Sequence, residues 1–256
     1  METTKFRNML HLQWTKAKKV KNHFAIFCIL ILTTVSAFSQ KEIYREEQDN
    51  KPYYFGLSLS AVSSRFHIEQ SQNFLQQDSI LVAEPLKSPG ISLRLSAGLN
   101  LNHRFELRFN PGLIFTDRPI LYQLNRNYDP DFEEGYEVKK SVESIITTFP
   151  LLLKFKSDRI GNFRVYMLGG GKVDFDLASN AQKRKADDQV RIKKLSYGIE
   201  GGIGFNFYRK SVTITPEIKI SNGLNDLHDR NDKLNYSRVI DRITSRMIIF
   251  TLHLEG

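Results

Sequence analysis

Between residues 90 and 116 the chain alternates apolar and polar side chains almost without a break. Ile91, Leu93, Leu95, Ala97, Leu99 and Leu101 fall on one face, and Ser92, Arg94, Ser96, Gly98, Asn100 and Asn102 on the other. After a polar corner at His103 and Arg104 the beat resumes, with Phe105, Leu107, Phe109, Leu113 and Phe115 set against Glu106, Arg108, Asn110 and Thr116. A period of two means β-strands with one apolar and one polar face. Half-buried strands of soluble proteins run to about five or six residues. About eleven residues at ~3.3 Å each, tilted by ~40°, cover about 28 Å, close to the ~25 Å apolar band of a transmembrane barrel. The polar face also carries Arg94, Glu106 and Arg108, which a soluble core rejects and a polar lumen accepts. The hairpin reads as two staves of a membrane-spanning β-barrel.

The first residues look like an export signal. Lys5, Arg7, Lys16, Lys18, Lys19 and Lys21 precede an apolar core at 24–35, and Ala37 and Ser39 place small residues at −3 and −1 of a cleavage site that leaves Gln40 first. The organisation expected is therefore a signal peptide at 1–39, a flexible periplasmic leader at 40–52 and a barrel at 53–256. Cys28, the only cysteine, lies in the apolar core of the signal, so a processed chain has neither disulfides nor thiolate ligands. The formal charge of +9 overstates the basic character: without 1–39 the balance is 31 basic against 27 acidic residues, which leaves no footprint for nucleic acid.

Eight alternating segments emerge, at 53–64, 90–102, 105–116, 145–156, 163–177, 195–207, 212–220 and 245–254. They are separated alternately by long polar stretches (69–88, 117–143, 180–194, 222–241) and short turns, the pattern of an eight-stranded antiparallel outer-membrane barrel with long external loops and both termini in the periplasm. Pro111, Pro150 and Pro216 fall inside strands, where each removes a ladder donor, and bulges are expected there. Phe105, Phe155, Phe163, Phe207 and Tyr208 gather near the proposed periplasmic ends as an interfacial girdle.

The inward positions collect Arg94, Arg108, Lys154, Arg164, Lys172 and Lys219 together with Glu106, Asp174, Asp176, Glu200 and Glu217. Eight strands enclose room for side chains only, so these ions are expected to pair and fill the lumen. No cofactor, metal or catalytic set is expected. The glycine runs at 169–171 and 201–204 lack the lysine, hydroxyl and following helix of a phosphate loop. His67, His103, His228 and His253 are scattered, with no local serine-histidine-acid signature for a lipid-modifying enzyme. Basic residues between Lys183 and Lys194, interrupted by Asp187 and Asp188, read as a solvated loop within reach of lipopolysaccharide phosphates.

Five stretches resemble PorT, an outer-membrane barrel of the type IX secretion system of Bacteroidota. They are Lys51-Pro52-Tyr53-Tyr54-Phe55-Gly56-Leu57, Arg108-Phe109-Asn110-Pro111-Gly112-Leu113, Asp176-Leu177-Ala178-Ser179-Asn180, residues 216–225 and residues 240–246. The resemblance implies a non-enzymatic part in exporting proteins with C-terminal targeting domains, including adhesins, proteases and gliding machinery. It points to an accessory subunit docked on other secretion components. Asp176, Ser179, Asn180, Asn222, Asn225, Asp241, Arg242 and Arg246 are the expected contact residues. The competing expectations are a structural or adhesive barrel unrelated to secretion, and a lipid-A-modifying barrel enzyme.

Overall fold

The computed structural model describes residues 42–49, 51–70, 80–124, 137–178, 191–230 and 240–256. The export signal, with Ala37, Ser39 and Gln40, and the loop residues Ser179 and Asn180 lie outside the described residues.

A short 3-10 turn (Glu46–Asp49) precedes ten strands: β1 (Tyr53–Gln70), β2 (Ile80–Pro85), β3 (Ser88–Asn100), β4 (Phe105–Phe109), β5 (Gly112–Leu124), β6 (Glu137–Lys156), β7 (Phe163–Asp176), β8 (Leu195–Tyr208), β9 (Thr213–Gly223) and β10 (Ile240–Glu255). They make eight staves, because β4 and β5 are one stave interrupted at Asn110 and Pro111, and β2 is a flap on the far end of β5. Strand β1 pairs antiparallel with both β3 and β10, so the sheet closes on itself.

Closure fixes the dimensions. Following paired residues once around, Tyr53 leads to Leu99, Leu107, Leu153, Gly169, Gly201, Ile220 and Ile248, and returns to β1 at Ser63, ten residues further on. A ten-residue stagger at ~3.3 Å per residue, against eight spacings of ~4.8 Å, sets a strand tilt of about 41° and a radius of about 8 Å. Such a cylinder holds side chains and nothing wider.

Lipid faces the residues that alternate outward. Leu93, Leu95 and Leu99 are 55%, 59% and 46% exposed, whereas their neighbours Ser92, Arg94 and Ser96 are buried. Aromatic side chains ring the end that carries the termini and tight turns: Phe105 lies 5.2 Å from Phe155, Phe163 lies 5.2 Å from Phe207, and Tyr53 lies 5.9 Å from Phe55. Tyr208 is not part of this girdle. It is buried and lies under the Arg159 guanidinium, 3.8 Å from its ring centre.

Three expectations are corrected. The prolines cause no bulges: β4/β5 keeps one register with β3 and β6 across Pro111, as do the pairings across Pro150 and Pro216, so a donor is missing but no residue is inserted. The register shifts lie instead between Glu69 and Gln70 and between Ile80 and Val82. Parts of the expected long loops are strand, since β1 runs to Gln70, β5 to Leu124, and β6 begins at Glu137. There the polarity inverts: Phe66, Ile120, Tyr122, Val138 and Val142 turn inward, while Lys139, Ser141 and Glu143 turn outward. The staves thus leave the membrane and continue as a water-facing barrel with an apolar core. Finally, the leader is not loose throughout. Residues 43–49 fold across the terminal mouth.

Candidate functional site

The side chains inside the barrel form layers along its axis. At the terminal mouth, Asp49 accepts hydrogen bonds from Arg164 at 2.8 Å and Arg159 at 3.2 Å. The Arg45 guanidinium donates to the Glu255 carbonyl at 2.9 Å, Gln48 to the Gly256 carbonyl at 3.1 Å, and the Tyr44 amide to Asn162 at 2.7 Å. Residues 44–49 are thereby tied to β7, to the turn before it and to the chain end. Arg45 has a φ of 56°, the left-handed turn that bends the segment back.

The next layer is built around Arg108 on β4. Its guanidinium meets Glu217 at 3.1 Å, Glu255 at 2.8 Å and Glu106 at 3.4 Å, and donates to the Tyr54 hydroxyl at 2.7 and 3.0 Å. The Tyr54 hydroxyl donates in turn to Glu106, and that of Tyr166 to Glu217 at 2.5 Å. Lys154 and Lys156 each lie 3.5 Å from Glu106, and Lys219 lies 3.2 Å from Glu217. Two glycines make this possible. Tyr54 pairs with Gly98 and Tyr166 with Gly204, and each ring lies where a β-carbon on its glycine would sit. The missing side chain lets each tyrosine lie flat against the wall and carry its hydroxyl to the centre.

His253 belongs to the same layer. One ring nitrogen is 3.2 Å from the Ser96 hydroxyl and the other 3.3 Å from Glu217. The topology thus assembles a serine-histidine-glutamate row from residues far apart in sequence. Ser96 and His253 are 2% and 0% exposed, so no substrate reaches them unless the staves part. Glu217 is already shared with Arg108, Lys219 and Tyr166.

Further along, Glu200 faces Arg94 at 3.8 Å and Lys219 at 3.7 Å, distances at which charges attract without a direct hydrogen bond. Lys172 bonds Asp174. An aliphatic layer of Val62, Ile114, Ile146, Met247 and Ile249 then crosses the lumen. Beyond it Arg118 pairs with Asp176 at 3.0 Å and stacks on Phe66 at 4.5 Å. A second apolar layer, with Phe66, Ile120, Tyr122, Val138, Val142 and Ile192, seals the loop end.

The ten lumen residues expected from sequence, Arg94, Glu106, Arg108, Lys154, Arg164, Lys172, Asp174, Glu200, Glu217 and Lys219, are all buried inside. Arg164 stands apart at the mouth with Asp49. Alternation places Tyr166 on the inward face, as found, but over short segments it does not single out Tyr54, Lys156 or Glu255. Arg118 was hidden because its strand reads as loop.

Asp176, expected both on the inward face and as a contact residue, lies inside the lumen, held by Arg118 and by the amide of Ala178, and is not available as a contact. Asn225 ties its loop to the start of β8, accepting from the Tyr197 amide at 2.9 Å and donating to the Leu195 carbonyl at 3.0 Å. Asp226 accepts the amides of His228 at 2.9 Å and Ile243 at 3.0 Å, and Ile192 bridges to His228. Residues 191–195, 222–230 and 240–243 are thus stapled into one cover at the loop end. Asp241 bonds Arg230 at 2.6 Å, and Arg242 donates to the Leu224 carbonyl at 2.8 Å. Asn222 is half-buried and Arg246 is exposed on the outer face of β10.

The described residues form a closed antiparallel barrel with a lipid-facing apolar belt and an ion-filled interior. The model of the outer membrane protein beta-barrel domain matches residues 38–229. The chain belongs to this family. Its place is therefore the outer membrane. No curated protein matches the sequence significantly. Among solved structures, this outer-membrane barrel is similar to OprG from Pseudomonas aeruginosa, with 13% identity, 79% of this chain and 93% of OprG covered, and a TM-score of 0.42. It is also similar to Neisserial surface protein A (12% identity, 78% and 95% covered, TM-score 0.38) and to Ail, the attachment invasion locus protein of Yersinia pestis (9%, 80% and 100%, 0.33).

Proposed function

We propose that this barrel is a non-enzymatic accessory subunit of the type IX secretion machinery, acting through its rims and outer wall rather than its lumen. The observation that carries the reading is the filled interior. Ion layers and two apolar layers occupy a cylinder of about 8 Å radius, so export of a folded cargo has to run through another component. Support for the particular machinery comes from the segments that resemble PorT. Residues 216–225 and 240–246 supply much of the stapled loop cover, where Asp241 and Arg230 remain about half exposed and open to a partner. The loops face outward and the termini face the periplasm, as a chain threaded from that side requires.

Deleting the gene tests the role. Proteins with C-terminal targeting domains should then accumulate in the periplasm and vanish from the cell surface. Normal surface display would leave a structural or adhesive barrel, and altered lipid A would point to an enzyme. Orientation is checked separately. Cys28 is the only cysteine, so single cysteines placed at Ser157 and Asp229 give clean labelling sites in the processed chain. An impermeant maleimide should modify intact cells at 229 and not at 157.

A further inference from the structure

Arg65 on β1 and Arg246 on β10 are direct cross-strand partners, and both side chains are exposed on the outer wall. Opposite residues in an antiparallel pair hold their Cβ atoms about 5 Å apart, and like charges there destabilise the sheet. Neither arginine has an ion pair or side-chain hydrogen bond among the described residues. Lys87, also exposed, precedes Ser88, which pairs with Ser64, so the row extends to a third cation on the β3 side. Of the nearby acids, Glu69 faces Arg242 at 3.8 Å, and Asp117, beside Pro89 on the β5 side, makes no ion pair with the row among the described residues.

The row also stands at a particular depth. Arg65 is twelve residues above Tyr53, about 30 Å along the axis at the tilt derived above, just past the ~25 Å apolar band. Directly beneath it a groove of about 280 Å³ runs down the lipid-facing wall, lined by Ala61, Ser63, Pro89 and Phe250, with Lys87 at its head.

We infer that Arg65, Arg246 and Lys87 hold the phosphate of an outer-leaflet glycolipid, with the first part of an acyl chain lying in the groove below. A phosphomonoester carries close to two negative charges and three acceptor oxygens, which matches three unpaired cations better than a singly charged phosphodiester. The bound phosphate also removes the repulsion within the row. This assignment rests on the extracellular placement of the loops, which the labelling experiment tests on its own.

The test uses the full processed barrel in mild detergent, titrated with phosphorylated lipid A, dephosphorylated lipid A, phosphatidylglycerol and inorganic phosphate, with retained lipid read by native mass spectrometry. Saturable retention of phosphorylated lipid A is expected, at least tenfold weaker in R65Q/R246Q and in A61W. Arg104→Gln, at the opposite rim, should bind normally. Each variant is first shown to be folded by its shifted mobility on unheated gels. Equal retention by R65Q/R246Q overturns the proposal, as does equal affinity for dephosphorylated lipid A or phosphatidylglycerol. Inorganic phosphate binding as tightly and displacing the lipid would make it a free-anion site and overturn the lipid assignment.

Discussion

Arg108 is the side chain on which carboxylates from three staves converge: Glu106 from its own, Glu217 from β9 and Glu255 from β10. Removing one partner of a buried ion pair is expensive because the charge left behind can neither pair nor reach water. Arg108→Met leaves the Glu255 carboxylate without a cation and takes one of several from Glu106 and Glu217, and a loss of about 3–5 kcal/mol is expected, measured by urea unfolding in lipid vesicles. A second substitution supplies the control. Combining Arg108→Met with Glu255→Gln removes the stranded charge together with the cation, and most of the loss should return. If the double variant is no more stable than the single one, the damage comes from packing and not from unpaired charge.

The loop-end cover is the element whose stability depends on pH. His228 is buried there, and burial pushes its imidazole below the usual 6.5, outweighing the Asp226 carboxylate; Arg230 and Lys193 push the same way as burial. Asp226 is held below the usual 3.8: the amides of Ile243 and His228 and the nearby Lys193 outweigh the upward push of burial. The sign follows from which state binds the proton. A histidine with a lowered value is neutral in the closed cover and takes up a proton more readily once the cover opens, so closure is fully stable above about pH 6.5 and weakens as the pH falls below it. Exchange of the Leu227 and Ile243 amides, corrected for its intrinsic pH dependence, should quicken between about pH 7 and 5.5, and His228→Asn should flatten that rise. Asp226 stays ionised across this window, so the slope belongs to the histidine. This cover was only half legible in the chain. The membrane-crossing parts of the staves announce themselves because lipid demands an apolar residue at every second position, as in 91–101. Past the membrane the demand reverses, and Val138, Val142 and Ile120 alternate inward against Lys139, Ser141 and Glu143, which reads as ordinary loop composition. The lumen charges could be listed from parity, but not their partners. Which carboxylate meets Arg108 depends on the ten-residue stagger of the closed sheet. The mouth cap escaped notice for the same reason, since Asp49 gains a role only once Arg159 and Arg164 are brought to that rim.

At the scale of the whole molecule, the question is whether anything passes through it. Among the described residues the lumen buries eight basic and six acidic side chains, an excess of positive charge that on its own would suit a narrow anion path. Two apolar layers interrupt that path. Val62, Ile114, Ile146, Met247 and Ile249 meet across the bore, and the cluster around Phe66 and Tyr122 fills it again further out. An ion crossing either layer loses its water with no charge in return, a penalty of several kcal/mol or more. The mouth cap is a third closure, placed at the other end. The purified barrel in planar bilayers should therefore show no unitary current steps. A chain lacking residues 43–49 separates the closures: it should be as silent as the full chain, because the aliphatic layers lie beyond the cap and do not depend on it. Regular conductance steps in the shortened chain alone would make residues 43–49 a gate over a conducting lumen. Steps in the full chain would show that the apolar layers do not seal it, and would remove the reason for assigning transport to another component.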